Sequence, residues 1–461
     1  MYDTRRLLSE YTEAYRERFS RSAEAHKQAR QVLIDGVSHG ARLFSPFPFR
    51  VTANHGATID TLDGHELVDY WQGHYANVLG HNSAPIREPM IALLQAGEGL
   101  QTGHLEERQT RYAETLAGAT GAESVRLTTS GTLATMYAMM LARAFTRRTV
   151  VVKVGGGWHG ANPLALKGVA RTASGFDRVD SAGVSGGADH DTLVTRFNDA
   201  QALSDLFAAH GDEIACFICE PCPGNGGFVP ATGEYMQAAR ELTARYGALL
   251  ILDEVITGFR FCAGGAQRLY GITPDLSTFG KVIGGGMPVA AVVGRADVMA
   301  LCSEAAEPRV WFSGGTYSAH PLSLAAGQAA LDYLLAHEDE IYPSLAAKGE
   351  TLRAGIERVF ADRGVVARCG GWGNDAFPGG SLASIYFPLR DDLVATCADD
   401  LTDPTCCDHT LREQVLKLAM LVNGVNVVHG LGAVSLAHSA AHLERTLEAM
   451  DAFAQVLAAS R

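Results

Sequence analysis

The 461-residue chain carries 51 acidic side chains against 38 Lys and Arg, a formal net charge of −13, and 47% of its residues are hydrophobic. So negative a surface excludes nucleic acid and anionic membranes as partners, and so apolar a composition excludes disorder and supplies a large core, enough for two domains. No run approaches the ~20 uninterrupted apolar residues of a membrane span, and the opening stretch MYDTRRLLSEYTEAYRERF has no signal-peptide apolar region, so a cytoplasmic protein acting on small molecules is expected.

Leu7, Leu8, Tyr11, Tyr15 and Phe19 recur at helical spacing, so residues 1 to about 35 read as one amphipathic helix or two, packed on a neighbour. GVSHGARLFSPFPFRV, rich in Gly, Pro and aromatics, reads as an irregular loop before a strand pair, with Arg42 alone among apolar neighbours. A hairpin turning at Asp63-Gly64 comes next, followed by a loop with His74 and Tyr75. The strand SVRLTTS then meets a helix at Gly131-Thr132. Backbone N–H groups and the hydroxyls of Ser130 and Thr132 at the positive helix end suit a phosphate, or serve only as an ordinary cap. The strand TVVVKV runs into GGGWHGAN, where the face of Trp158, beside His159, can lie on a planar ligand. Residues 162 to about 196, rich in Gly, Ala and Ser, read as a long loop acting as a lid, or as a floppy insertion.

The strand ACFIC ends at Glu220, and a helix over Gly233 to Tyr246 returns the chain to the apolar run Leu249 to Leu252, a βαβ unit. That run ends in Asp253; Val255, two residues on, faces the same side. Leu276 to Gly280 leads to Lys281, with Gly284 to Gly286 close behind. A buried acid and a buried amine thus stand at the exits of two strands, where open α/β sheets hold ligands. After a helix from Pro321 to His337 the pattern is that of a small α+β unit. The nine cysteines, an odd number without a disulfide-like framework, read as reduced thiols; neither Cys216, Cys219 and Cys222 nor the Cys406-Cys407 pair has a matching second pair, and no metal is expected.

The strings LILDEVITGFR, STFGKVIGGGMPVAAVVGR and GGTYSAHPLSLAAG resemble the class III (subgroup II) pyridoxal-phosphate aminotransferases, and within them the glutamate-1-semialdehyde 2,1-aminomutase branch. The resemblance implies an α/β protein of PLP fold type I (aspartate aminotransferase-like). A large mixed-sheet domain would span 71–335, and a small α+β domain would be built from both chain ends, 1–70 and 336–461. It implies pyridoxal 5′-phosphate (PLP) as cofactor, with Lys281 as the amine that condenses with its aldehyde and then moves protons, and Asp253 keeping the pyridine nitrogen protonated. Ser130, Gly131 and Thr132 would cradle the phosphate; Trp158, His159 and Val255 would pack on the ring. Glu220 and Asn225 would lie near its phenolic oxygen, Glu220 with a purely structural role equally open. Thr316 would reach the phosphate of the partner subunit's cofactor, making a homodimer the working unit.

On the substrate side the resemblance gives Arg42 to the substrate carboxylate, with anchoring of its own loop as the alternative. His74 stands where the aminomutases carry tryptophan, and is either a pocket residue or a structural one. Gly430 stands where they carry a glutamate. These two departures rank an intermolecular aminotransferase, acting between an amino acid or related carboxylated amine and a keto or aldehyde acceptor, ahead of an intramolecular aminomutase.

Overall fold

In the computed structural model, which describes residues 2–461, the chain enters through a hairpin of β1 (Val51–His55), β2 (Thr58–Thr61) and β3 (Glu66–Asp69). A seven-stranded sheet then takes β4 (Ser124–Thr128), β5 (Val150–Val154), β6 (Thr192–Thr195), β7 (Ile214–Cys219), β8 (Leu249–Glu254), β9 (Leu276–Phe279) and β10 (Ala290–Gly294) in the order β4-β10-β9-β8-β7-β5-β6. Only β10 runs against its neighbours, so the sheet is mixed, as expected. The continuous apolar runs explain its centre. Along β8, Leu249 and Ile251 join the core on one face with Cys216 and Ile218, while Leu250 and Leu252 join the other with Phe217 and Cys219. Each fully buried aliphatic side chain contributes about 1.5–3 kcal/mol relative to exposure. Because Cys216, Cys219 and Cys222 belong to three different core clusters, these thiols do not converge.

Helices cover both faces. Gly131–Thr146 buries Ala134, Ala138, Met139, Leu141 and Ala142; Gly233–Tyr246 starts where the Thr232 hydroxyl accepts from Tyr235 N and stops at Gly247, whose φ of +66° suits glycine. With β4, β5, β7, β8 and β9 all running one way, their carboxyl ends form one edge, from which Ser130, Trp158, Glu220, Asp253 and Lys281 emerge.

The chain ends meet beside this sheet. β3 pairs in parallel with β13 (Val425–Asn426), and β11 (Arg368–Gly370), β12 (Leu382–Tyr386) and β14 (Gly432–Ala433) make a third sheet. The leader is two helices, Thr4–Arg18 and Ser20–Ala29, broken at Phe19. Leu7 packs among Phe360, Leu443 and Phe453, and Tyr15 and Phe19 pack with Phe47, Leu418 and Leu421. The hairpin turns at Asp63-Gly64, with Asp60 opposite Glu66.

One expectation needs correction. Residues 162–196 are not a single irregular loop: Thr192–Thr195 is β6, the edge of the large sheet, preceded by the short helix Gly186–His190. Four residues amid Asp and Arg give too short an alternation to stand out from their Gly-, Ala- and Ser-rich surroundings. The rest is strapped down. Lys167 Nζ meets Asp177 at 2.8 Å and Asp189 at 3.0 Å, and Arg171 meets Asp403 at 2.5 Å. The fully buried Lys153 ammonium donates to the carbonyls of Gly157 (3.0 Å), Ala165 (3.0 Å) and Lys167 (2.8 Å), tying the Trp158 turn to the base of this segment. No helix among the described residues is long and apolar enough to cross a membrane.

Candidate active site

A cavity of about 720 Å³ opens at the carboxyl edge of the sheet, and Ser130, Gly131, Thr132, Trp158, His159, Glu220, Asn225, Asp253, Val255, Lys281 and His74 all line it. Its floor is rigid. Asp253 is buried and accepts from Thr278 Oγ1 (3.1 Å) and Val255 N (3.1 Å), while its other oxygen meets His159 Nδ1 at 2.8 Å. Thr135 Oγ1 and Asn162 Nδ2 both donate to the His159 carbonyl, at 2.6 and 3.1 Å, so the imidazole is fixed from behind as well. Its Nε2 is buried without a protein partner. Lys281 follows Gly280 at φ +48°, a left-handed conformation that costs a non-glycine residue about 1–3 kcal/mol and turns the chain sharply out of β9. Burial lowers its amine to about 8, against the opposing pull of Asp253 and Glu220.

The cradle is set by close backbone packing. Ser130 Oγ accepts from Leu133 N at 3.3 Å and caps the helix, leaving the Gly131 and Thr132 turn facing the cavity. A side chain at Gly131 would sit 2.9 Å from Val255 Cγ1, and one at Gly160, already at φ +83°, 2.5 Å from Thr132 Oγ1. Glu220 is committed to the backbone: its two oxygens accept from Trp158 N (2.9 Å) and Gly224 N (3.1 Å), and burial raises its pKa while His159 and these bonds lower it. That clasp presents Trp158, 41% exposed, on the cavity wall. Asn225 is exposed at the rim.

The mouth is built from imidazoles. His74, at φ +60°, packs on Trp71 with ring centroids 4.2 Å apart and on His39 at 5.0 Å. Burial, then His39 and Arg42, push it down to about 4, and its Nε2 has no protein partner. His39, Trp71 and His429 line the cavity too, and sequence reasoning missed all three. A signal was available for two of them, His39 standing three residues before Arg42 and His429 adjoining the Gly430 departure, and none for Trp71. At Gly430, φ is +92° and a Cβ would lie 2.6 Å from the Ile385 carbonyl, so this backbone has no room for a glutamate. Arg42 is exposed and lies outside this cavity, in an adjacent one of about 530 Å³ that shares Ala41, Trp71 and His74; its Nη1 reaches Ser38 Oγ at only 3.5 Å. Thr316 is exposed and lies away from the cavity, its carbonyl accepting from Gln101 Nε2 at 2.8 Å.

Comparison with known proteins gives one consistent family. Residues 40–374 match the model of aminotransferase class-III. The glutamate-1-semialdehyde 2,1-aminomutase of Methanosphaera stadtmanae is 34% identical over 440 residues, 94% of this chain and 98% of that protein. Among solved structures, a β-phenylalanine aminotransferase from Variovorax paradoxus superposes with a TM-score of 0.84 at 30% identity, over 98% of this chain and 97% of that one. A transaminase with PLP bound superposes with a TM-score of 0.83 at 28% identity, over 96% and 99% of the two chains.

Proposed function

The chain belongs to the class-III aminotransferase family, and from that premise we propose that it moves an amino group within a carboxylated amino aldehyde, as an intramolecular 1,2-aminomutase of the glutamate-1-semialdehyde type. Its fold is PLP fold type I and its cofactor is pyridoxal 5′-phosphate. The cavity fits that group: a cradle at Gly131 and Gly160 that a Cβ would fill, a buried imidazole nitrogen without a partner, and a half-buried amine lining the same cavity as a buried carboxylate. When bound, PLP supplies an aldehyde for amine exchange and a ring that accepts electron density. Ser130, Gly131 and Thr132 would hold its phosphate, Trp158 and Val255 would pack on the ring, and His159 and Glu220 would keep the surrounding backbone in register. Asp253 would supply the negative charge that keeps a proton on its pyridine nitrogen. Lys281, its amine already depressed to about 8, is the base that takes a proton from the substrate carbon and the acid that returns it. A second copy of the chain would complete the unit through Thr316, which is exposed next to the exposed Tyr317.

The observation that carries the aminomutase reading is the end-to-end match to a relative of that name. It reverses the ranking drawn from His74 and Gly430. A second reading, intermolecular amino transfer, is favoured by the lack of room for a side chain at Gly430. The separating experiment supplies the purified, PLP-loaded enzyme with an amino aldehyde and no amino donor. Conversion without a keto acid product supports the mutase; strict dependence on a donor, with its keto acid formed in proportion, overturns it. No visible absorbance remaining with the protein after PLP is added and the excess removed by desalting would overturn both readings.

A further inference from the structure

The adjacent cavity holds an unassigned cation. Lys417 lies on the helix Leu416–Val422 and lines this space of about 530 Å³ together with Arg42, Phe44 and Arg50. Its Nζ sits 4.2 Å from the centroid of the Phe44 ring, and among the described residues it has no ion pair or hydrogen bond. The acid whose charge acts on it is Glu413, one helical turn earlier, the spacing at which helices ordinarily form ion pairs. That carboxylate is turned the other way, 3.1 Å from Arg412 Nε and 3.4 Å from His429 Nδ1, across the π-helical turn Leu411–Val415. Burial accordingly lowers the Lys417 amine to about 8, with only Glu413 opposing. Asp69, the carboxylate lining the same cavity, is saturated: it accepts from Trp71 N, Gln72 N, Asn426 Nδ2 and His81 Nε2. Arg50 is engaged with the Gly36 carbonyl at 3.2 Å. Two cations, Lys417 and the weakly held Arg42, are thus left facing a space joined to the main cavity across Ala41, Trp71 and His74.

We propose that this cavity seats the distal carboxylate of the substrate and that Lys417 is its second cationic contact, beside Arg42. The proposal rests on the functional reading above and deepens it: the substrate is an amine whose acid group lies at the far end from the reacting carbon, past the imidazoles of the mouth. Aromatic contact with Phe44 holds the ammonium in place, and the carboxylate supplies the anion that Glu413 withholds.

The test uses the PLP-loaded full chain and an isosteric pair of probes, valerate and valeramide, with binding measured by calorimetry at pH 7. Wild type should prefer the acid, and Lys417→Met, which keeps the aliphatic stem over Phe44, should cut that preference roughly 10- to 100-fold, in line with hydrogen bonds to charged groups. Lys417→Arg should restore most of it. An undiminished preference in Lys417→Met, or no preference for valerate in wild type, overturns the proposal. A protein that takes up PLP normally yet is indifferent to the probe's charge refutes this inference alone. Failure to take up PLP refutes the functional reading instead.

Discussion

At the floor of the cleft, Asp253 and Glu220 are each held by two or more hydrogen bonds from sheet strands or the turns that leave them, and His159 is pinned at both its ring and its carbonyl. At the mouth, His39, His74 and His429 touch aromatic rings or one carboxylate, and Arg42 has one long contact. The floor is an electrostatic frame fixed by its own hydrogen bonds; the mouth is a wall of aromatic and imidazole rings and loosely held cations. Chemistry common to a family belongs on the first kind of surface, and discrimination between substrates on the second.

This contrast breaks first at Lys281. Lys281→Ala should lower turnover roughly 10³-fold or more, as expected for removing the proton-moving group, while circular dichroism keeps the wild-type fold. In the protein without PLP, labelling of Lys281 by an amine reagent should rise as pH passes about 8, well below an ordinary lysine; mass spectrometry of the labelled peptide gives the curve. Asp253→Asn keeps the shape of the floor but removes its charge and should cost roughly 10²-fold in kcat, with KM much less affected. Gly160→Ala pushes a Cβ against Thr132 at a positive φ. It should cost about 1–3 kcal/mol in the urea unfolding of the protein and weaken PLP retention on dialysis.

At the mouth the effects should be smaller and selective. Arg42→Ala should raise KM about tenfold for carboxylated substrates and leave uncharged amines unaffected; an equal loss for all substrates would make it a loop anchor. His74 sharpens the comparison through pH. Its folded pKa of about 4 lies below the unfolded value, so the unfolded chain binds the extra proton first, and the stability it contributes is present above pH 6.5 and is lost as pH falls toward 4. His74→Asn, which tolerates the left-handed backbone, should show a shallower decline in urea midpoint between pH 6.5 and 4.5.

The same division governs what could be read from residues alone. Asp253, Lys281 and Trp158 were legible because each follows the end of a buried strand, and the Ser130 turn because a strand there meets a helix; both are local features. His39, Trp71 and His429 were not, since they come from three distant segments that meet only through the pairing of β3 with β13 and the packing of the chain ends. Glu220 was left between two roles, and only its bonds to Trp158 and Gly224 show that it clasps its own turn. Lys417 gave no signal at all, because its meaning depends on Glu413 being turned away.

The buried Lys153 ammonium has a mechanical consequence. Because three carbonyls, from Gly157 to Lys167, share its three protons, the turn bearing Trp158 and the base of the segment beyond it cannot separate without leaving a buried charge unsolvated. Any hinge that lets this segment swing must therefore lie beyond Lys167, where Gly168, Gly175 and Gly183 all occupy positive φ and the chain can pivot at low cost.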